Sequence, residues 1–334
     1  MRASTAVAAG AAILLVSAAS SAVRAEECGL KLVASVDLRL EAESLSPLLP
    51  VTLSGHPTYM LLDTGSVFSM ISAKAVNALS LTRKRSNVEI FDVARDSSRD
   101  YVTTPLTLGR LTTDHFDLVV EPESMRIGRS PLDEGIIGPD ILTRFDVDID
   151  FGTGKLNFIS PEHCEGKVVY WPTNVVAVVP MTVFLSGHIA IPVKLDGKIQ
   201  NALVDTGASG STLTTEIAES DYDLRLGTDD VPANGTLQGH STQTVYRHVF
   251  KTLEFEGVTI TNPRIEIIPN PTRSLVEEAA TPHVGSHIAN AGLDETKINM
   301  LIGMNVLRHL HIYIAYHEHN LYITPAGTPA VPTP

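Results

Sequence analysis

Apolar and polar residues alternate with a period of two along much of this chain, the pattern of strands that bury one face. It is clear in Val36-Asp37-Leu38-Arg39-Leu40, in Ile189 to Leu195, in Val258 to Thr261 and in Ile265 to Ile268. Helical spacing is confined to short stretches, at Ala73 to Leu79, Asp140 to Phe145, Thr215 to Ser220 and Asn305 to Leu310. The pattern predicts a mainly β protein. It also predicts one order of elements used twice: strands, a tight turn, a short helix, a hairpin, more strands, a glycine turn, a short helix and closing strands.

The residues repeat as well as the elements. Pro50 to Ser66 aligns with Pro192 to Ala208 without a gap, placing Leu53 on Leu195, Gly55 on Gly197 and Asp63-Thr64-Gly65 on Asp205-Thr206-Gly207. Ile137-Gly138-Pro139-Asp140 aligns with Ile302-Gly303-Met304-Asn305, and Leu156 to Phe158 with Leu321 to Ile323. The offset grows from 142 at the first block to 165 at the last, so the second copy carries 23 further residues. A match of Leu106 to Pro122 with Leu253 to Pro269 puts most of them after it, in an insertion at Pro271 to Lys297 read as a loop or partly helical segment. Two long units of this kind mean duplicated lobes rather than a solenoid.

Each Asp-Thr-Gly ends a short apolar run, Met60-Leu61-Leu62 or Ala202-Leu203-Val204, which places its carboxylate at the end of a buried strand. Two carboxyls sharing one proton can activate water with the ionised member while the protonated member donates to a carbonyl oxygen. Like charges a few ångströms apart resist double ionisation, so such a pair titrates in two separated steps.

The doubled hydrophobic-Asp-Thr-Gly-Ser/Ala pattern, with its two Ile-Gly blocks, resembles the pepsin and retropepsin superfamily of aspartic peptidases. The likeness covers most of the chain, and the short halves look like two fused retropepsin-like units. It implies two pseudo-symmetric lobes and a dyad of Asp63 and Asp205. It also implies that Thr64 and Thr206 bond across the lobes beneath the dyad, and that Gly65 and Gly207 allow sharp turns close to the carboxylates. Gly138 and Gly303 would pack behind those turns. Ser66 against Ala208 is an asymmetry, with the serine hydroxyl expected to donate to a carboxylate. Glycine-tipped hairpins cover the substrate in this family. Gly235-Thr236-Leu237-Gln238-Gly239 fits that role in the second lobe. The matching segment, Asp92 to Asp100 around Val93, has no glycine and reads equally as a hairpin with Tyr101 near the cleft or as a surface loop. The implied activity is cofactor-free hydrolysis of a polypeptide by a monomer, with a catalytically silent peptide binder as the alternative. A homodimer in which each half pairs with its counterpart is less favoured, because a short linker joins the equal halves.

Composition adds location and limits. Residues 1–25 read as a cleaved signal, with Arg2, the apolar Ala6 to Val16 and small residues before Glu26, which implies an exported, periplasmic or secreted protein. No later run is long and apolar enough to span a bilayer. The formal net charge of −13 becomes more negative by two when Arg2 and Arg24 leave, which disfavours nucleic acid and anionic membranes as partners. Cys28 and Cys164 either form one disulfide or stay as two buried thiols. The lobes are assigned to 26–165 and 166–325, with a break in pattern at Pro161 to Asn174 and a disordered Pro-rich tail at 326–334. His309, His311, His317 and His319 read as the solvent face and turn of a terminal hairpin rather than a metal site. Asn234-Gly235-Thr236 has the form of a glycosylation acceptor. No phosphate-cradling glycine motif is present.

Overall fold

The computed structural model describes residues 29–91, 97–121, 130–237, 240–269 and 298–327. The expected signal, the insertion at Pro271 to Lys297 and the last residues of the tail lie outside them. Three sheets carry the fold, which is mainly β and two-lobed. In the first half, an eight-stranded sheet curls back so that Pro47–Leu53 pairs with both His56–Leu62 and Ser97–Leu108. In the second, Ile189–Leu195 likewise pairs with both Lys198–Val204 and Thr252–Phe255.

The duplication is visible in the unusual pairings. His56–Leu62 runs parallel to Asp133–Ile137, as Lys198–Val204 does to Met300–Ile302. Met70–Ser72 runs parallel to Leu111–Glu121, as Ser211–Thr214 does to Arg264–Ile268. Where the first parallel pair runs together its residues are apolar and buried, Leu61 and Leu62 lying beside Ile136 and Ile137. The halves differ at the long hairpin. Ser97–Leu108 and Leu111–Glu121 each stay one strand in the first half. Their counterparts are broken in the second, around Lys251 and at Asn262-Pro263, where Asn262 is left-handed (φ 52°) and proline has no N–H for the ladder.

The third sheet belongs to both halves. Its six antiparallel strands run Leu32–Asp37, Lys155–Ile159, Asp146–Asp150, Leu310–Ala315, Asn320–Pro325 and Ala177–Pro180. The halves meet where Val147 pairs with Ile314 and Ile149 with Ile312. One apolar cluster continues from each lobe through this sheet, including Leu62, Ile137 and Ile149 from one half and Val204, Ile302 and Ile312 from the other.

Two sequence expectations change here. The alternation at Val36 to Leu40 spans two strands, Leu32–Asp37 and Arg39–Leu40, which belong to different sheets. The chain turns between them at Leu38, whose N–H bonds to the carbonyl of Gly154. His311 does not face solvent. It is buried, its Nε2 lies 2.5 Å from an Asp148 oxygen, and Trp171 stacks on its ring at 3.8 Å. His163 pairs similarly with buried Asp146 at 2.6 Å. Strand alternation fails for His311 because Leu310–Ala315 is buried on both faces, the second one covered by the segment that joins the halves. His309, His317 and His319 are exposed.

Candidate active site

The two Asp-Thr-Gly turns meet at the junction of the halves. Each follows its buried strand, and each aspartate N–H reaches across the parallel pair to the Ile-Gly block, Asp63 to the carbonyl of Ile137 and Asp205 to that of Ile302, both at 3.0 Å. Beneath them the threonines cross. The Thr64 hydroxyl donates to the carbonyl of Val204 (2.7 Å) and accepts from the N–H of Thr206 (3.1 Å). The Thr206 hydroxyl donates to the carbonyl of Leu62 (2.8 Å) and accepts from the N–H of Thr64 (3.0 Å). Both threonines are buried, so these four bonds are shielded from water and join the halves within one chain.

The glycines seat the opposite carboxyl. A Cβ at Gly65 would overlap the carboxyl of Asp205, and a Cβ at Gly207 would overlap that of Asp63. Each turn is therefore glycine because the other half's aspartate occupies the side-chain position. This places the two carboxyls against each other across the junction. Gly65 N–H also donates to Asp63 at 2.9 Å, and the N–H groups of Gly207 and Ala208 donate to one oxygen of Asp205 at 2.8 and 3.1 Å. Gly138 and Gly303 lie behind the turns as expected. A Cβ at Gly138 would press on the backbone of Phe68 and Ser69, and one at Gly303 on that of Ala208 and Gly210.

Burial pushes the Asp205 carboxyl up to about 7, with the charge of Asp63 adding to the effect and the two backbone N–H groups opposing it. The Ser66 hydroxyl does not act as expected. It donates to the carbonyl of Phe68 at 2.9 Å, bracing its own loop, so the Ser66/Ala208 difference is not a difference in hydroxyl support of the dyad.

Sequence reasoning passed over a second bracing layer. Ser69 accepts from the Gly138 N–H at 3.0 Å, and Asp140 accepts from both the N–H and the hydroxyl of Ser69. In the other half Ser211 accepts from Gly303 N–H at 3.0 Å and donates to the side-chain oxygen of Asn305 at 2.6 Å. The signal was in register. Each serine comes six residues after its aspartate, and Asp140 and Asn305 each come two after their glycine. Burial raises Asp140 above the usual carboxylate range, against the opposing bonds from Ser69.

Both hairpins form. Lys84–Phe91 pairs with Ser97–Leu108, with Val93 and the rest of 92–96 outside the described residues. Ala233–Leu237 pairs with His240–Val249, closing at Leu237 and His240, with Gln238 and Gly239 outside the described residues. Gly235 takes φ +100°, and Thr236 stands exposed opposite Thr244. Asn234 is exposed, and its amide donates to Glu266 at 3.2 Å. Cys164 is half-buried, and Cys28 lies outside the described residues. Among the described residues, no three His, Cys, Asp or Glu side chains converge on a place for a metal ion, and no helix is long and apolar enough to cross a membrane.

The family described as aspartyl protease matches residues 49–141 and 191–306, two segments that together exceed half of the chain. The chain belongs to the aspartyl protease family. Each matched segment carries one aspartate turn and one glycine block, so the family pattern is present twice. No curated protein matches the sequence. Among solved structures, the crystal structure of basic 7S globulin from soybean aligns with a TM-score of 0.49 at 8% identity, covering 90% of this chain and 96% of that one.

Proposed function

We infer that this member of the aspartyl protease family is an active endopeptidase that hydrolyses polypeptides with water activated by Asp63 and Asp205. The observation that carries this reading is the reciprocal seating of each carboxyl against the other half's glycine. That seating makes the aspartates halves of one site. Asp205, raised by burial and by the charge of Asp63, holds the shared proton at mildly acidic pH. Asp63 then takes a proton from water as it attacks the scissile carbonyl, and Asp205 donates to the carbonyl oxygen. Thr64, Thr206, Gly65, Gly207, Gly138 and Gly303 hold this geometry, and the hairpin around Gly235 to Gly239 closes over the substrate. The lobes divide near residue 165. The protein works as a monomer, exported to the periplasm or secreted after loss of residues 1–25, with Cys28 and Cys164 joined as a disulfide. Neither a cofactor nor a metal enters this mechanism.

The test is cleavage of a diverse peptide library by the protein lacking residues 1–25, beside Asp63→Asn and Asp205→Asn. Cleavage by the wild type and its loss in both variants are expected. Activity surviving in either variant would refute a shared dyad, and a wild type that binds peptides without cutting them would identify a silent binder.

A further inference from the structure

A cleft of about 1040 Å³ opens beside the first-half hairpin, and its chemistry differs from that of the chain as a whole. Phe68, five residues beyond Asp63, lines it together with Asp140 and Arg144. The base of the hairpin, including Arg85, Arg99 and Tyr101, lines another part. The cleft is thus bounded both by the loop that follows Asp63 and by the arms of the hairpin. Side chains a few residues from a scissile bond would reach this region.

The charges are unequal in availability. The chain is strongly acidic, yet Arg83, Lys84, Arg85, Arg99 and Arg144 gather around this cleft. Its three carboxylates already have protein partners. Asp100 pairs with Arg83 at 3.6 Å, Asp117 accepts from the Thr103 hydroxyl, and Asp140 accepts twice from Ser69. Arg144 uses its Nε on the carbonyl of Asp140 at 2.9 Å, which fixes the base of its guanidinium at the wall. Neither Arg85 nor Arg144 makes an ion pair with any described residue. The exposed ring of Phe68 and the Tyr101 ring supply apolar surface on which a side-chain stem can rest.

Resting on the peptide-cleft reading above, we propose that this cleft is a specificity subsite for a carboxylate side chain of the bound polypeptide, gripped by Arg85 and Arg144. An arginine fork matches a carboxylate in two parallel bonds, which separates glutamate from its neutral isostere glutamine. Both arginines are exposed, so the discrimination is moderate, about tenfold in affinity.

The experiment uses the full chain carrying Asp205→Asn, so that binding is read without turnover. Fluorescence anisotropy compares peptides with one glutamate moved through an uncharged sequence against glutamine counterparts. At one position glutamate is expected to bind about tenfold tighter than glutamine. The ratio is expected to fall to about one in Arg85→Ala/Arg144→Ala and to recover partly in Arg85→Lys/Arg144→Lys. It should also shrink as salt is raised. Equal binding at every position, a ratio that survives the double alanine variant, or no peptide binding at all would overturn the subsite. A wild type unable to cut a peptide that Asp205→Asn binds with this preference would refute the hydrolytic reading and leave the subsite standing.

Discussion

Replacing Thr64 by valine tests the crossed threonines, because valine keeps the shape and removes only the hydroxyl. That hydroxyl accepts from the N–H of Thr206 and donates to the carbonyl of Val204, and both residues are fully buried. Without it, a buried N–H loses its partner, at about 1–3 kcal/mol, and a buried carbonyl loses one of its bonds, at about 1 kcal/mol. The expected loss is about 3 kcal/mol, a large share of the roughly 5–15 kcal/mol that holds a typical domain. Thr64→Ser keeps the oxygen and gives up one buried methyl, about 1 kcal/mol. Urea unfolding followed through Trp171, the sole tryptophan, reads both variants, because that ring lies on the sheet shared by the halves. A valine variant within about 0.5 kcal/mol of wild type, or a serine variant as costly as valine, would show that the bonds do not hold the halves.

The raised carboxyl of Asp205 makes stability depend on pH with a definite sign. A group whose folded pKa exceeds its unfolded value stabilises fully below the unfolded value, and that contribution is lost as pH rises through about 7. Asp205→Asn should therefore melt higher than wild type at pH 8, with the advantage gone at pH 3; equal melting at both would refute the shift. Peptide cleavage by the wild type should fall as pH rises through about 7, where the shared proton is lost, and a rate still rising there would contradict Asp205 as its holder. Gly207→Ala places a methyl against the Asp63 carboxyl and should reduce kcat/KM by at least about a hundredfold while far-ultraviolet circular dichroism stays native. Retained activity would mean that the turns separate freely. Ala208→Ser should leave the pH–rate profile in place, because serine at the matching position bonds a backbone carbonyl, and a shift towards acid would show a direct bond to the dyad.

Much of this was legible because the chain states its design twice. A single Asp-Thr-Gly turn is weak information, but the second copy fixed which glycines, threonines and aspartates correspond. Parallel strands such as Asp133–Ile137 and Met300–Ile302 place the Ile-Gly blocks behind the turns, and that placement followed from the repeat. What escaped notice depends on contacts distant in sequence. Asp140 looked like an ordinary first-turn helix residue, and its role appears only when Ser69, 71 positions earlier, is brought against it. His311 sat in a clean alternation, and no local pattern reveals that Trp171 and Asp148 cover its outer face. Ser66 misled for a related reason, since a hydroxyl beside a carboxylate in sequence is free to turn to a nearer carbonyl.

The reciprocal seating of glycine and carboxyl has a consequence for how such a molecule can change. Each half supplies both a plug, its aspartate, and a socket, its glycine, and each plug fits only the other half's socket. Two copies of one half, related by a twofold axis, would satisfy the same contacts, since each glycine–carboxyl contact and each threonine bond between the turns occurs twice, once in each direction. Joining them in one chain keeps that symmetry at the junction and releases it elsewhere. The outer hairpins, the bracing pair Asp140 and Asn305, and the arginine-lined cleft can then diverge in one half alone, while the parts that touch across the axis must change together or not at all.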